Sequence, residues 1–212
     1  MFGILKKNTI KYLSKTRIPQ DELILKMEEL ARRKNIPILN YKAAEFLEQL
    51  VLIKKPKKVL EIGTAIAYTS IRIARKLSSD DIIDTIELSK DNIKIAKNFI
   101  QESGLNNINL IEGNAFNVIP KLGHKYDIVF MDADKEDYIE QFNLSLNLLN
   151  TEGVIVIDNL LWYGFVATKK VPEMYRNSTK HVKEFNKLFL SETSLYSTIL
   201  PIGDGIGLGI KK

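Results

Sequence analysis

The sequence contains no cysteine among its 212 residues. That excludes a disulfide framework, a thiol nucleophile, an iron–sulfur cluster and a cysteine-ligated zinc site. Histidine is scarce, with His124 and His181 alone, so a metal centre built from several imidazoles is excluded as well. No apolar run approaches the roughly 18 residues that a membrane span requires. The opening segment Met1–Lys7 has too short an apolar stretch, and no small-residue cleavage site, to act as a signal peptide. The expectation is a soluble, cytoplasmic protein without a membrane partner. Three motifs are also missing. There is no G-x-G-x-x-G dinucleotide fingerprint, no G-x-x-x-x-G-K-[ST] phosphate loop and no G-x-S-x-G nucleophile elbow.

What is present reads as an ordinary globular chain, 45% hydrophobic and 27% charged. A chain of this length buries roughly 70% of its unfolded surface and needs no cross-link to hold a core. The expectation is a single domain over 1–212, with a helical N-terminal layer over 1–55 and a sheet over 56–212. The net charge of +5 is unevenly spread: residues 1–60 carry 14 basic and 6 acidic side chains, and the remainder carries 17 and 20. The basic excess therefore sits in the helical layer. Of the 31 basic residues 25 are lysine, and the chain is rich in isoleucine and asparagine, so codon bias is an alternative source of that excess.

Periodicity places the elements. Gln20–Lys34 carries Leu23, Ile24, Met27, Leu30 and Ala31 at helical spacing, opens on Asp21 and Glu22, and closes on Arg32, Arg33 and Lys34. A second helix runs from Tyr41 to about Ile53. From Lys58 onward short apolar runs alternate with amphipathic helices. Strands are expected at 59–62, 82–86, 108–111, 128–131 and 154–157, and helices at 68–77, 90–103, 115–122 and 136–149. Repeated β–α units imply a parallel sheet covered on both faces. A helix over 180–189 then precedes two strands, 194–200 and 206–211, joined by Gly203-Asp204-Gly205, a link so short that the pair must be antiparallel. Five parallel strands followed by an antiparallel hairpin make an α/β fold with a seven-stranded, Rossmann-like methyltransferase sheet.

Four points along this sheet carry chemistry. Gly63, in Leu60-Glu61-Ile62-Gly63-Thr64, follows the first strand, where an α/β sheet binds its ligand; it allows a close backbone approach or simply forms a tight turn. Glu87 ends the second strand, where an acid accepts ribose hydroxyls or neighbours a helix cap at Ser89. Asn114 follows the third strand and either bonds an adenine edge or caps a helix. Met131-Asp132-Ala133-Asp134-Lys135 and Ile157-Asp158-Asn159 end the fourth and fifth strands. Adjacent parallel strands lie about 4.8 Å apart, so Asp132, Asp158 and Asn159 converge as hard oxygen ligands suited to Mg²⁺, Mn²⁺ or Ca²⁺. Helix capping is the other role open to each aspartate. Lys135 is then a candidate base near the cation. Trp162-Tyr163-Gly164-Phe165 follows and either walls a pocket or packs as a loop.

Taken together, Leu60–Thr64, Met131–Lys135, Val156–Asn159 and Leu200–Gly205 resemble the cation-dependent class I O-methyltransferases, the group of the catechol and caffeoyl-CoA enzymes. Within that family the chain is most similar to the bacterial branch that methylates 5-hydroxyuridine at the tRNA wobble position. That likeness adds Ile36-Pro37-Ile38, Pro56–Ile66 and Asp158-Asn159-Leu160-Leu161. The resemblance implies S-adenosylmethionine held near Leu39, Gly63, Thr69, Glu87, Asn114, Ala115 and Asp132. It also implies Mg²⁺ or another hard divalent cation on Asp132, Asp158 and Asn159, and a homodimer. Two residues depart from the family pattern: Ala67 replaces a glycine, which crowds the donor loop, and Asn114 replaces an aspartate. The 5-OH and O4 of 5-hydroxyuracil are vicinal oxygens like those of a catechol, so one cation chelates either and acidifies the hydroxyl. With the tRNA anticodon loop as partner, Arg17, Arg32, Arg33 and Lys34, joined by Arg176 and Lys180, would meet phosphates. Two alternatives stand beside this: methylation of a small catechol-like phenol, and a nucleotide-binding module or NAD-dependent enzyme without methyl transfer. The missing glycines and the terminal hairpin oppose the last.

Overall fold

A computed structural model describes residues 7–212; residues 1–6, on which most of the signal-peptide reading rests, lie outside the described residues. Among the described residues no helix is long and apolar enough to cross a membrane. Seven strands form one sheet in the order β3-β2-β1-β4-β5-β7-β6, with β1 at Lys58–Ile62, β2 at Ile82–Glu87, β3 at Ile108–Glu112, β4 at Tyr126–Met131, β5 at Leu149–Ile157, β6 at Leu195–Leu200 and β7 at Ile206–Lys211. The pairs among β1 to β5 are parallel, and β7 inserts antiparallel between β5 and β6. This is the expected sheet.

Side-chain alternation along each strand divides the core in two. Val59, Ile83, Ile128, Phe130, Val154 and Val156 face one layer, formed by α2 (Glu22–Lys34), α3 (Tyr41–Lys54), α4 (Tyr68–Ala74) and α5 (Lys90–Ser103). Leu60, Ile62, Val129, Met131, Ile155 and Ile157 face the other, formed by α7 (Tyr138–Leu148) and α8 (Arg176–Ser191). The N-terminal helices thus share the core of the sheet: Ile24, Met27, Ala43, Leu47 and Val51 are all at most 1% exposed. A further helix, α1, covers Lys7–Lys15.

Caps fix most boundaries. Asp21 Oδ1 accepts from the backbone of Leu23 and Ile24 and starts α2, Asn40 starts α3, Ser89 starts α5, and Gly104 ends α5 in the left-handed conformation. Where the structure departs from expectation, the backbone supplies the cause. The helix expected over 115–122 is α-helical only at Ala115–Val118 (α6) and tightens to a 3-10 turn at Ile119–Lys121, because Pro120 has no N–H to continue it. The strand expected at 154–157 begins at Leu149. Its turn-like Thr151-Glu152-Gly153 is absorbed as a bulge, with Glu152 at φ 60° and a register shift opposite Tyr126 and Ile128. The helix expected over 180–189 starts four residues earlier, at Arg176.

β1 carries an unusual core residue. Glu61 is fully buried; its Oε2 accepts from Ser70 Oγ and from Thr85 Oγ1 (2.5 Å), and its Oε1 has no partner. Burial pushes its carboxyl up to about 8, against the lowering effect of the two hydroxyl bonds. In the unfolded chain the same group titrates near 4.5. Between those values the unfolded state releases a proton that the folded state keeps, so stability falls as pH rises from about 4.5 to 8, at up to about 1.4 kcal/mol per pH unit. The melting temperature of the metal-free protein is therefore expected to drop across this window, and Glu61→Gln to flatten the slope. A variant with an unaltered slope would assign the proton elsewhere.

Candidate functional site at the carboxyl ends of the strands

The loop after β1 crosses the carboxyl ends of the strands and is tied to β2. Gly63 N and Thr64 N both donate to Ile86 O, at 3.0 and 3.2 Å, and Ala65 N donates to Glu87 Oε2 at 2.8 Å. The other Glu87 oxygen accepts from Leu88 N and Ser89 N at 3.0 and 2.8 Å. Glu87 thus anchors the loop and retains about one of its four lone-pair positions for a ligand hydroxyl. Ala67, the residue expected to crowd this loop, is fully buried and packs in the core. Its methyl is not in the cavity wall; its cost is a left-handed backbone at φ 67°, about 1–2 kcal/mol for a residue with a Cβ.

A cavity of about 650 Å³ opens beside this loop. It gathers Gly63, Glu87, Asn114, Ala115, Asp132, Lys135, Asp158 and Asn159, eight of the residues expected from sequence. Asn114 Oδ1 caps α6 through Phe116 N at 2.8 Å, which leaves its amide N–H groups for a ligand edge. Both roles open to Asn114 are therefore compatible. Leu39 and Thr69 are buried and do not line the cavity; Pro37 and Ile38 line it in place of Leu39. The volume falls within the range of pockets for cofactor-sized molecules, roughly 300–1,000 Å³.

Asp132 and Asp158 follow strands paired in register through Met131 and Ile157. Asp158 is 3% exposed and its Oδ1 has no hydrogen-bond partner. Burial, and then the Asp132 carboxylate, push the Asp158 carboxyl up to about 7. Asn159, at φ 61°, turns its Nδ2 onto Asp158 Oδ2 at 3.2 Å. Among the described residues no three Asp, Glu or His side chains gather closely enough to hold a metal by themselves. The candidate set is two carboxylates and an amide. An orphaned, buried carboxylate oxygen facing a second carboxylate is a donor set that a hard cation satisfies.

The sequence reading missed a third carboxylate. Asp204, in the hairpin turn, raises the Asp158 carboxyl further, and its own is raised by burial. Its Oδ1 accepts from Tyr163 N at 2.6 Å while its Oδ2 is buried without a partner. With Leu160 N and Leu161 N bonded to Gly205 O and Asp204 O, the terminal hairpin holds the segment that carries Asn159, Trp162 and Tyr163.

Lys135 is 9% exposed. Its Nζ donates to Ala133 O at 2.9 Å, lies 3.4 Å from Asp132 Oδ1, and sits over the rings of Tyr138 and Trp162 at 4.8 and 5.4 Å. Trp162 and Tyr163 line the cavity, so this segment is a wall of it.

The expected phosphate contacts separate. Arg17 is engaged inside the protein: it makes a two-pronged ion pair with Glu28, at 2.6 and 3.0 Å, and lies 4.7 Å above the Tyr41 ring. It leaves the set, because freeing it would strand the half-buried Glu28, whose carboxyl the same contact lowers. Arg32 pairs with Glu29 on the surface. Arg33 and Lys34 are exposed at the end of α2, a few residues before Pro37. Arg176 and Lys180 lie on α8 in the wall of a second cavity.

The chain is similar to known proteins over most of its length. The O-methyltransferase family model matches residues 15–212. The flavonoid 3',5'-methyltransferase of Vitis vinifera is 31% identical, over 97% of this chain and 95% of its own. Caffeoyl-CoA O-methyltransferase of Populus kitakamiensis is 32% identical over 77% and 73%. The crystal structure of an O-methyltransferase from Bacillus cereus in complex with SAH superposes with a TM-score of 0.84 at 27% identity, covering 95% of this chain and 96% of that one. With the family model matched over nearly the whole chain and relatives above 30% identity along its length, the chain belongs to the O-methyltransferase family.

Proposed function

We propose that the protein transfers the methyl group of S-adenosylmethionine to a hydroxyl of an acceptor bearing two adjacent oxygens, at a divalent cation, and that the acceptor is 5-hydroxyuridine at the tRNA wobble position. The observation that carries the chemistry is the pairing of Asp132 and Asp158, with an orphaned oxygen, in the same cavity as Gly63, Glu87 and Asn114. When bound, S-adenosylmethionine supplies an electrophilic methyl group and a hard cation acidifies the acceptor hydroxyl. The chain does the rest. Glu87 accepts a ribose hydroxyl, Asn114 donates to the adenine edge, and Gly63 lets the loop approach. Asp132, Asp158 and the Asn159 carbonyl would hold the cation, Trp162 and Tyr163 wall the acceptor against water, and Lys135 Nζ, 3.4 Å from Asp132 Oδ1, would receive the acceptor's proton when it enters as the free amine. The basic end of α2 precedes one wall of the cavity, which suits a polyanionic acceptor. The proposal includes a homodimer, measurable by sedimentation equilibrium.

The second reading, a small phenol as acceptor, is favoured by the relatives named for flavonoid and caffeoyl-CoA methylation. One experiment separates the two. The protein is incubated with S-adenosylmethionine, Mg²⁺ and tRNA carrying 5-hydroxyuridine, and the digested nucleosides are weighed. A gain of one methyl on 5-hydroxyuridine is expected. Turnover of free catechol with no 5-methoxyuridine would transfer the assignment to the phenol.

A further inference from the structure

A second cavity, about 920 Å³, lies between residues 168–172 and α8. It shares none of the carboxylates of the strand-end cavity. Its wall carries Arg176, Lys180, Lys183 and Lys187 from α8, with Lys169 and Lys170 opposite, and Glu184 is the one acidic residue in it. The α8 spacings of four, three and four put the cations in one stripe. The buried face of the same helix is Thr179, Val182, Phe185 and Phe189. From Arg176 to Lys187 the stripe rises about 16 Å along the helix.

Folding does not call for this stripe. Cations three and four apart on a helix repel each other. Arg176 opens α8, whose first turn has no acidic residue, and a cation there opposes the helix dipole. Partial compensation comes from Glu184, 4.0 Å from Lys180 Nζ. A lysine-rich composition explains scattered surface cations, but not their alignment along one concavity. Thr179, 3% exposed in the cavity wall, has a hydroxyl without a partner.

The first turn of α8 is also a wall of the methyl-transfer cavity: Ser178 lines that one and Thr179 this one. Between them stands an aromatic cluster. Tyr175 lies 5.2 Å from Phe165 and 5.7 Å from Tyr163, and Tyr163 is 65% exposed on the rim of the strand-end cavity. A basic track leading to an aromatic cluster with one exposed ring, Tyr163, and two half-buried ones suits a single nucleic-acid strand, with phosphates on the cations and a base on the ring. One small polyphosphate would call for converging donors, and this row is extended.

We propose that the α8 groove is a docking track for the backbone of a single-stranded polynucleotide, which leads the acceptor base past Tyr175 and Tyr163 into the methyl-transfer cavity. The destination rests on the function proposed above; the binding does not. The probe is a fluorescein-labelled ten-residue oligouridylate, followed by anisotropy on the full chain over a KCl titration, with neither methyl donor nor metal. Lys180→Ala/Lys183→Ala/Lys187→Ala is expected to raise Kd at least tenfold. It should also reduce the slope of log K against log salt by about 2, since each neutralised phosphate contributes roughly 0.7. Lys76→Ala/Lys94→Ala/Lys121→Ala removes the same charge from exposed positions elsewhere and is expected to change neither. Equal binding by the groove variant, equal loss in both variants, or displacement of the probe by ATP at matched phosphate concentration would each overturn the proposal.

Discussion

Replacing Asp158 by alanine is expected to lower metal-dependent methyl transfer by at least about a thousandfold, leaving S-adenosylmethionine binding within a factor of about three. A cation loses one of two carboxylates, and metal polarisation contributes several kcal/mol to a barrier, each 1.4 kcal/mol being tenfold in rate. The residues proposed to hold the donor, Gly63, Glu87 and Asn114, lie elsewhere in the cavity. The stability effect has the opposite sign from that of most buried substitutions. Asp158 Oδ1 is buried without a partner and the carboxyl is raised by burial and by Asp132, so its removal relieves an unfavourable contact in the metal-free protein. The expected result is a metal-free melting temperature equal to or above the parent's, no thermal shift on adding Mg²⁺, and donor affinity retained by calorimetry. Turnover within tenfold of the parent, with its Mg²⁺ requirement intact, would refute the metal assignment.

That prediction was available from sequence because the relevant signal is short-range in the fold and explicit in the chain. Two apolar runs each ending in aspartate, in adjacent β–α units, bring their carboxylates together wherever the strands pair in parallel. The same logic located Gly63, Glu87 and Asn114. Residues whose roles depend on distant segments were not legible. Asp204 reads as a turn residue between glycines, and its burial beside Asp158 exists only because β7 pairs with β5. Arg17 reads as a free surface cation; its partner Glu28 lies eleven residues away on α2, and its stacking partner Tyr41 on α3. A helix end and a strand start were displaced where Pro120 and Thr151-Glu152-Gly153, respectively, acted through backbone geometry rather than hydrophobic pattern. On α8 the pattern marked Arg176 and Lys180, and only the folded helix showed that Lys183 and Lys187 continue their stripe.

Gly63→Ala is expected to be the most damaging single-methyl change in the protein. Gly63 has φ +99°, in a region where a Cβ is strained. Space is the greater obstacle. A Cβ built there would lie 2.1 Å from the Asp132 carbonyl oxygen and 3.0 Å from its carbonyl carbon. Those are backbone atoms at the end of β4, and they cannot rotate away as a side chain could. Asp132 N is itself bonded to Ile62 O at 3.0 Å, so β1 and β4 would have to separate at the point where Asp132 leaves the sheet. The strained backbone costs about 1–2 kcal/mol and the overpacking about 1–3 more, a loss of roughly 2–5 kcal/mol. Function should suffer beyond stability, since a shift of the loop moves Ala65 N off Glu87 and a shift of Asp132 alters the metal site. Denaturant unfolding is expected to show the stability loss, and calorimetry below the lowered melting temperature a donor affinity at least tenfold weaker. A soluble variant with parental stability and donor affinity would mean that the loop does not approach β4 this closely in solution.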